Sequence, residues 1–216
     1  MKRHDKLAET IPYGTLGILA LESSRDMGKR VNDYIVDWRN DRAQNHATAA
    51  SFAGYNRDSF IIDSACPRFG SGEAKGIIRE SVRGQDLYIL VDVCNYNLTY
   101  TVCGQTNHMS PDDHYQDLKR IIAAVGGKAR RITVIMPFLY ESRQHRRSAR
   151  ESLDCALALQ ELTQMGVESI ITFDAHDPRV QNAIPLKGFD NIMPTYQFIK
   201  ALLRSTNDLE IDNEHL

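Results

Sequence analysis

The sequence contains few of the patterns that mark membrane proteins or proteins held together by zinc or disulfides. Its four cysteines fall at wide, irregular spacings with no Cys-x-x-Cys pair, so neither a zinc site nor a disulfide framework is predicted. Cys94 and Cys155 lie in apolar-periodic segments and are interpreted as small core residues. No apolar run approaches the roughly 18–20 residues that a membrane span needs, and the N-terminus lacks the apolar stretch of a signal peptide. We therefore expect a cytoplasmic protein with no membrane partner.

An overall excess of charge is also missing. Lysine and arginine number 26 against 28 acidic residues, which gives a formal net charge of -2 over 216 residues. The segment from Pro137 to Arg147, "PFLYESRQHRR", nevertheless carries three arginines and a histidine within five residues. A near-neutral protein with one basic cluster has concentrated its positive field locally, which indicates a candidate anion site. The alternative is a solvated helix face.

Apolar runs of strand length alternate with helical patterns along the chain. Strands are predicted within 14–22, 86–94, 130–138 and 167–174, with shorter candidates at "SFIID" and "AKGIIRES". Helices are predicted within 23–40, 110–125, 151–165 and 194–205. Near-continuously apolar strands that alternate with amphipathic helices are typical of a parallel sheet covered on both faces. The predicted fold class is α/β, a mostly parallel sheet flanked by helices.

Two capping signals locate helix starts. Ser110 and Asp113 form a capping box around Pro111, so the Asp112–Asp113 pair is interpreted as a helix cap, with metal binding as the alternative. Ser148 and Glu151 offer a second capping box, which predicts a helix immediately after the basic cluster.

Two polar clusters follow neighbouring predicted strands. One is the basic cluster after Phe138, and the other is "DAHD", which contains Asp174, His176 and Asp177. Ligands of parallel sheets bind outside the carboxyl ends of strands, and the crossover topology should bring the two clusters together. Arginines suit phosphate oxygens, and nearby carboxylates suggest Mg²⁺ bridging the phosphates. A nucleotide or sugar-phosphate enzyme is therefore favoured over an inert ion-pair network.

Three segments, in order along residues 14–205, resemble the ribose-phosphate diphosphokinases, also called phosphoribosyl pyrophosphate synthetases. "PFLYESRQHRR" is similar to that family's Arg-Gln-Asp-basic-basic loop, with Arg143 and Gln144 matching. "DAHDPRVQ" resembles its Asp-Leu-His motif and the Gln-bearing loop that follows. "RFGSGEAKGIIRESVRGQDLYIL" resembles its Phe-Ser-Asp/Asn-x-Glu turn and following hairpin. The resemblance implies a type I phosphoribosyltransferase-like fold.

The resemblance also implies a reaction, in which the diphosphoryl group of Mg-ATP passes to ribose 5-phosphate and AMP is released. Arg143 and Gln144 would contact ATP, and Arg146 and Arg147 would supply charge in the same loop. The catalytic residues proper are not assigned, because the family's main catalytic loops lie in a second domain.

Two further pairs of residues carry over from the resemblance. Asp174 and His176 match the family's magnesium positions. Phe69 and Glu73 match residues that help form the adenine pocket of a neighbouring subunit, which implies a homo-oligomer with a shared ATP site.

The domain organisation expected from the resemblance is a tail at 1–13, an ATP-side domain at 14–205, and at 206–216 the start of a linker to a second domain. An apolar face is expected where that domain would pack. The sequence departs from the family pattern at His145, where the family has an acid, and at Ser71, where it has Asp or Asn. The loops around 40–65 and 95–110 look longer than usual.

Three other functions remain open. A non-catalytic regulatory homologue need not bind Mg²⁺ or ATP. A nucleic-acid binder would use "RQHRRSAR", but the near-zero net charge and the absence of aromatics in the cluster count against it. A metal-dependent hydrolase would use Asp174, His176 and Asp177, and would need more ligands than the sequence places.

Overall fold

The computed structural model describes residues 13–45 and 54–205, so the tail and linker expectations for 1–12 and 206–216 lie outside the described residues. A five-stranded parallel sheet forms the centre, with its strands in the spatial order β1 (Thr15–Ala20), β4 (Gln85–Leu90), β7 (Arg131–Ile135), β8 (Ser169–Phe173) and β9 (Gly188–Ile192). Two small antiparallel pairs stand beside it, β2 (Ser64–Ala65) with β3 (Ile77–Ile78) and β5 (Thr99–Val102) with β6 (Gln105–His108). The α-helices α1 to α4 are Arg25–Asn45, Pro111–Val125, Asp154–Gln164 and Thr195–Ser205.

The core lies on both faces of the sheet, as the apolar strands predict. Strand residues Leu87, Ile89, Val134 and Ile170 are completely buried. One face packs against α2 and α3, and the other packs against the apolar side chains of α1. The predicted fold class, a mostly parallel sheet flanked by helices, is confirmed.

The start of α2 matches its capping signal in atomic detail. The Ser110 hydroxyl accepts a hydrogen bond from the Asp113 N–H at 3.1 Å, and the Asp113 carboxylate accepts one from the Ser110 N–H at 2.9 Å. Pro111 occupies the first turn, and Gly126 ends the helix with a φ of 59°. Asp113 is therefore a cap, whereas Asp112 accepts a hydrogen bond from the Tyr140 hydroxyl at 2.6 Å.

Strand β9 is absent from the sequence prediction, which has a loop there. It pairs in parallel with β8 at the edge of the sheet, and its residues alternate between exposed and half-buried. An edge strand needs no continuous apolar run. The sequence of β9 includes Gly188, Asp190 and Asn191 and therefore lacks the apolar pattern by which the other strands are predicted. The close approach of the two backbones requires the glycine, since a Cβ at Gly188 would lie 2.6 Å from the Ser169 Oγ.

Two other local predictions are wrong. Cys94 is exposed rather than in the core, because it follows the end of β4 in a polar loop, whereas Cys155 is buried as predicted. Helix α3 begins at Asp154, well after the expected start near Ser148. The Ser148 N–H does donate to the Glu151 carboxylate at 3.2 Å, but this contact closes a loop and not a helical turn.

Helix α4 is strongly amphipathic, yet none of its residues is buried. Phe198, Ile199, Leu202 and Leu203 are between 45% and 69% exposed. Together with Met193 they form an exposed apolar surface, and its packing against a further domain stays a prediction. Within residues 13–45 and 54–205, no helix combines the length and the apolarity needed to cross a bilayer.

Candidate functional site

The pairing of β7 with β8 continues past the end of β7. The Met136 N–H donates to the Ile171 carbonyl at 2.9 Å, and the Phe173 N–H donates to the Pro137 carbonyl at 3.2 Å. The basic loop, residues 138–150, leaves one strand, and the segment Asp174–Asp177 leaves the other. The two predicted clusters therefore emerge side by side at one edge of the sheet.

His145 connects the two clusters directly. Its Nε2 lies 3.5 Å from the Asp177 Oδ2, and its ring centroid lies 5.2 Å from that of His176. The expected proximity of the clusters is confirmed. His145, one of the two residues at which this sequence departs from the family pattern, thus bridges the loop to the adjoining strand end.

Asp177 is held by several hydrogen bonds. The Arg179 side chain donates from Nε and Nη2, and the Arg179 N–H donates at 2.9 Å, which makes Asp177 the cap of a short 3₁₀ turn at Pro178–Ala183. These bonds from Arg179, with a smaller contribution from His145, hold the pKa of Asp177 far below its usual range. Asp177 is committed to this ion pair, which argues against its use as a hydrolase ligand.

Gln144 organises the basic loop from within. Its side-chain amide donates to the Ser152 carbonyl at 2.8 Å and to the Arg146 carbonyl at 3.2 Å. Its backbone carbonyl accepts from the Cys155 N–H at 3.3 Å, at the start of α3. Because α3 begins only at Asp154, the loop itself, rather than the helix N-terminus, must hold the arginines in place.

The arginines of this loop are all exposed and point to no carboxylate. The loop carries four arginines, Arg143, Arg146, Arg147 and Arg150. Among the described residues, no Asp or Glu lies within ion-pair distance of these four side chains. Elsewhere, Arg68, Arg120, Arg131 and Arg179 are each paired with an acid. The positive charge of the loop is therefore available for an external anion.

Asp174 and His176 are exposed beside this loop. Asp174 has a φ of 47°, a left-handed conformation that costs a non-glycine residue energy. Strand β9 holds it there, since the Asp174 N–H donates to the Ile192 carbonyl at 3.1 Å and the Ala175 N–H donates to the Asn191 side chain at 2.9 Å. In the described part of the chain, no three His, Cys, Asp or Glu side chains are grouped as a metal site.

The carboxyl edge of the sheet also carries a cleft that the sequence analysis did not identify. It has a volume of about 960 Å³ and is lined by aromatic and polar side chains, among them Phe138, Phe173, Arg25 and Asp92. Phe173 is the last residue of β8, and the other three side chains follow the ends of β7, β1 and β4 within five residues. Position at or just after a strand end is therefore the sequence signal that could have found them.

Phe69 and Glu73 lie on a tight turn between β2 and β3, beside α2 and away from the β7–α3 loop in the chain. The Phe69 N–H donates to the Glu73 carbonyl at 2.7 Å, and the Gly72 N–H donates to the Phe69 carbonyl at 2.9 Å. Phe69 is 51% exposed, and the Glu73 carboxylate accepts a hydrogen bond from the Ser71 hydroxyl at 2.9 Å. The turn presents both side chains outward.

Comparison with known protein families identifies the family to which the chain belongs. Residues 16–166 match the N-terminal domain of ribose phosphate pyrophosphokinase. The chain belongs to the ribose-phosphate pyrophosphokinase family. The match spans the turn at Phe69, the hairpin that follows it and the basic loop.

Individual family members support the same relationship. Ribose-phosphate pyrophosphokinase 1 of Schizosaccharomyces pombe is 31% identical over 150 residues, which is 68% of this chain and 33% of that protein. Ribose-phosphate pyrophosphokinase of Vibrio parahaemolyticus is 30% identical over 154 residues, or 70% of this chain and 43% of that protein. The chain thus matches less than half the length of these relatives.

A solved structure shares the fold. Phosphoribosylpyrophosphate synthetase from Mycobacterium smegmatis superimposes with a TM-score of 0.64 at 20% sequence identity, over 88% of this chain and 52% of that one. This similarity supports the type I phosphoribosyltransferase-like architecture expected of the domain.

The role of Gln144 as the internal brace of the basic loop is testable by proteolysis. Gln144→Ala removes two side-chain hydrogen bonds to the loop backbone, each contributing about 0.5–1.5 kcal/mol, so the loop should open more often. We expect trypsin to cleave after Arg146, Arg147 or Arg150 about fivefold to fiftyfold faster, with the melting temperature nearly unchanged. Gln164→Ala, on an exposed helix position, is the matched control. An unchanged cleavage rate in Gln144→Ala would contradict this role.

Proposed function

We propose that this chain is the ATP-binding part of a ribose-phosphate diphosphokinase, which transfers the diphosphoryl group of Mg-ATP to ribose 5-phosphate. The observation that carries the proposal is the basic loop, whose exposed arginines have no carboxylate partner among the described residues and adjoin Asp174 and His176 at the same sheet edge. Family membership supplies the reaction class. The counter-charge of the loop is then the triphosphate of ATP.

Diphosphoryl transfer asks the protein mainly to neutralise phosphate charge, to align the attacking hydroxyl with the β-phosphorus and to exclude water. Arg143, Arg146 and Arg147 suit the first task, since guanidinium groups bind phosphate oxygens through paired hydrogen bonds. Gln144 contributes indirectly to the alignment of the substrates, because its side-chain amide fixes the loop that carries the three arginines. The groups that hold ribose 5-phosphate are not assigned to this chain.

Magnesium fits this site only in company with the nucleotide. Asp174 offers a carboxylate at the strand end, and His176 is the adjoining donor that the family pattern assigns to the metal. Mg²⁺ is commonly held by one or two carboxylates together with substrate phosphates and waters rather than by a complete protein cage. The absence of a three-donor cluster in the described residues agrees with such a shared arrangement.

The turn at Phe69 and Glu73 would serve a neighbouring copy of the chain. An exposed aromatic ring next to a carboxylate suits a purine, which can stack on the ring and donate from its amino group. We therefore propose a homo-oligomer in which this turn completes the nucleotide site of an adjacent subunit. The compartment that suits such a nucleotide enzyme is the cytoplasm.

A regulatory homologue is the second candidate. The observation that favours it is the replacement of the family's acid by His145, which pairs with Asp177 inside the site. Such a protein would assemble with a complete synthetase without turning over substrate. Release of AMP that depends on ribose 5-phosphate, measured in the full-length protein, separates the enzyme from the homologue.

The phosphate-binding role of Arg143 can be measured on the chain itself. Arg143→Ala should weaken Mg-ATP binding by about 1.5–3 kcal/mol, the usual loss when a charge-assisted hydrogen bond is removed. Isothermal titration calorimetry gives the affinity, and Arg57→Ala, an exposed arginine in another loop, is the matched control. Equal affinities for Arg143→Ala and the parent chain would remove Arg143 from the site.

The metal role of His176 predicts a changed magnesium requirement. In the full-length protein, His176→Ala should shift half-maximal activity to about fivefold higher magnesium concentration without unfolding, because exposed loop residues at a sheet edge rarely carry the core. His108→Ala, an exposed histidine on the β5–β6 hairpin, serves as the control. If the magnesium profile is unchanged, or if the domain unfolds, His176 has a structural role instead.

A further inference from the structure

The β5–β6 hairpin is an ordered element inside the loop that looked longer than usual in the sequence. Val102 pairs with Gln105, and the two linking residues, Cys103 and Gly104, both have positive φ values, of 50° and 79°. Two positive φ values match the right-handed twist of a tight hairpin. The base is closed by the hydrogen bond from the Met109 N–H to the Leu98 carbonyl at 2.9 Å. The hairpin is thus a regular, hydrogen-bonded element from its base to its turn.

One face of the hairpin rests on the Phe69 turn. The guanidinium carbon of Arg68 lies 4.9 Å from the centre of the Tyr100 ring, a cation–π contact. A Cβ added at Gly72 would lie 3.0 Å from the Val102 Cγ2, so the hairpin side chain already touches the turn backbone. Tyr100 and Val102 are half-buried, and Thr101 between them is exposed. The contact face therefore alternates along β5 as a strand requires.

Arg68 is anchored on its other side by a buried carboxylate. The Arg68 Nη2 donates to the Asp117 Oδ2 at 2.8 Å, and the Arg120 Nη1 donates to the Asp117 Oδ1 at 2.6 Å. Asp117 is only 6% exposed. Burial raises its pKa, and Arg68 and Arg120 act in the opposite direction. Removing either arginine would leave a buried charge poorly paired, so Arg68 is fixed in place.

Arg68 directly precedes Phe69 in the chain. Its backbone enters the turn, its guanidinium is clamped between Tyr100 and Asp117, and the Phe69 ring is left exposed. A shared groove, lined by Ser71, Gly72 and Glu73 on one side and by the hairpin on the other, runs along this junction. The direction in which Phe69 points is therefore coupled to the hairpin.

We infer that Tyr100 is a positioning residue, which sets the orientation of the Phe69–Glu73 turn through Arg68 and so tunes the recognition of the nucleotide base by a neighbouring subunit. This inference rests on the proposed function, because it assumes that the turn contacts the base. The hairpin takes no part in the chemical step. Its loss should accordingly raise the KM for ATP and leave kcat nearly unchanged.

Three variants separate positioning from general stability. Tyr100→Ala removes the ring over Arg68, Tyr100→Phe keeps it, and Thr101→Ala alters the opposite face of the same strand. Hydrogen exchange on this chain should show the amides of residues 69–73 exchanging about fivefold faster in Tyr100→Ala alone. In the full-length protein, the KM for ATP should rise about fivefold in Tyr100→Ala, with Tyr100→Phe close to the parent.

Phe69→Ala distinguishes the two ways in which the experiment can fail. If Phe69→Ala raises the KM for ATP but Tyr100→Ala does not, the turn binds the base and the positioning role is overturned. If Phe69→Ala leaves the KM for ATP unchanged, the turn does not bind the base, and both the proposed role of the turn and the positioning role of Tyr100 are overturned. A Tyr100→Phe variant as impaired as Tyr100→Ala would also contradict the ring contact.

Discussion

The parallel pairing of β7 with β8 is the constraint on which the candidate site depends. It aligns Ile135 with Ile171 and continues past the end of β7, where Met136 and Pro137 are hydrogen-bonded to Ile171 and Phe173 of β8. Since both strands point the same way, the loops that follow them must emerge at the same edge. A basic loop and an Asp-x-His-Asp segment that are some thirty residues apart in the chain become neighbours, with His145 against Asp177.

The electrostatics of this edge follow a simple division. Two acidic side chains near it are engaged, Asp177 by Arg179 and Asp112 by the Tyr140 hydroxyl, whereas Asp174 is exposed. The arginines of the basic loop are not paired within the described residues, and their loop is braced by neutral hydrogen bonds from Gln144. Within the described residues, the fold thus places no carboxylate beside these arginines. Leaving charge unpaired at a surface costs little, because water solvates it, and the charge stays available to an external anion.

Regular elements were readable in the sequence because local signals and burial agree in them. The capping box at Ser110 places α2, and the apolar runs around Leu87, Val134 and Ile170 place the central strands. The predictions that are wrong fall where local signals and tertiary contacts disagree. Strand β9 is an edge strand with polar residues, so its pairing with β8 depends on tertiary contacts that no short window contains. Ser148 and Glu151 have the spacing of a capping box, but α3 begins only at Asp154, after a loop in which the Ser152 carbonyl accepts a hydrogen bond from the Gln144 side chain.

The site was foreseeable in part. Its basic loop and strand-end residues carry family motifs, and the parallel topology predicted their proximity. The bridging role of His145, the bracing role of Gln144 and the hairpin that packs on Arg68 depend on side-chain geometry, which residue spacing does not encode. Of these residues, His145 also stands where the family pattern has an acid.

Mapping Mg-ATP onto the chain by amide chemical shifts tests the central claim most directly, because it locates the ligand without requiring turnover. The account predicts saturable shifts concentrated in residues 138–147 and 174–177, larger with Mg-ATP than with ATP in the presence of a chelator. AMP, which lacks the two outer phosphates, should produce weaker shifts at the arginines. Shifts confined to another surface, or none at millimolar Mg-ATP, would contradict the assignment of this sheet edge as the nucleotide site.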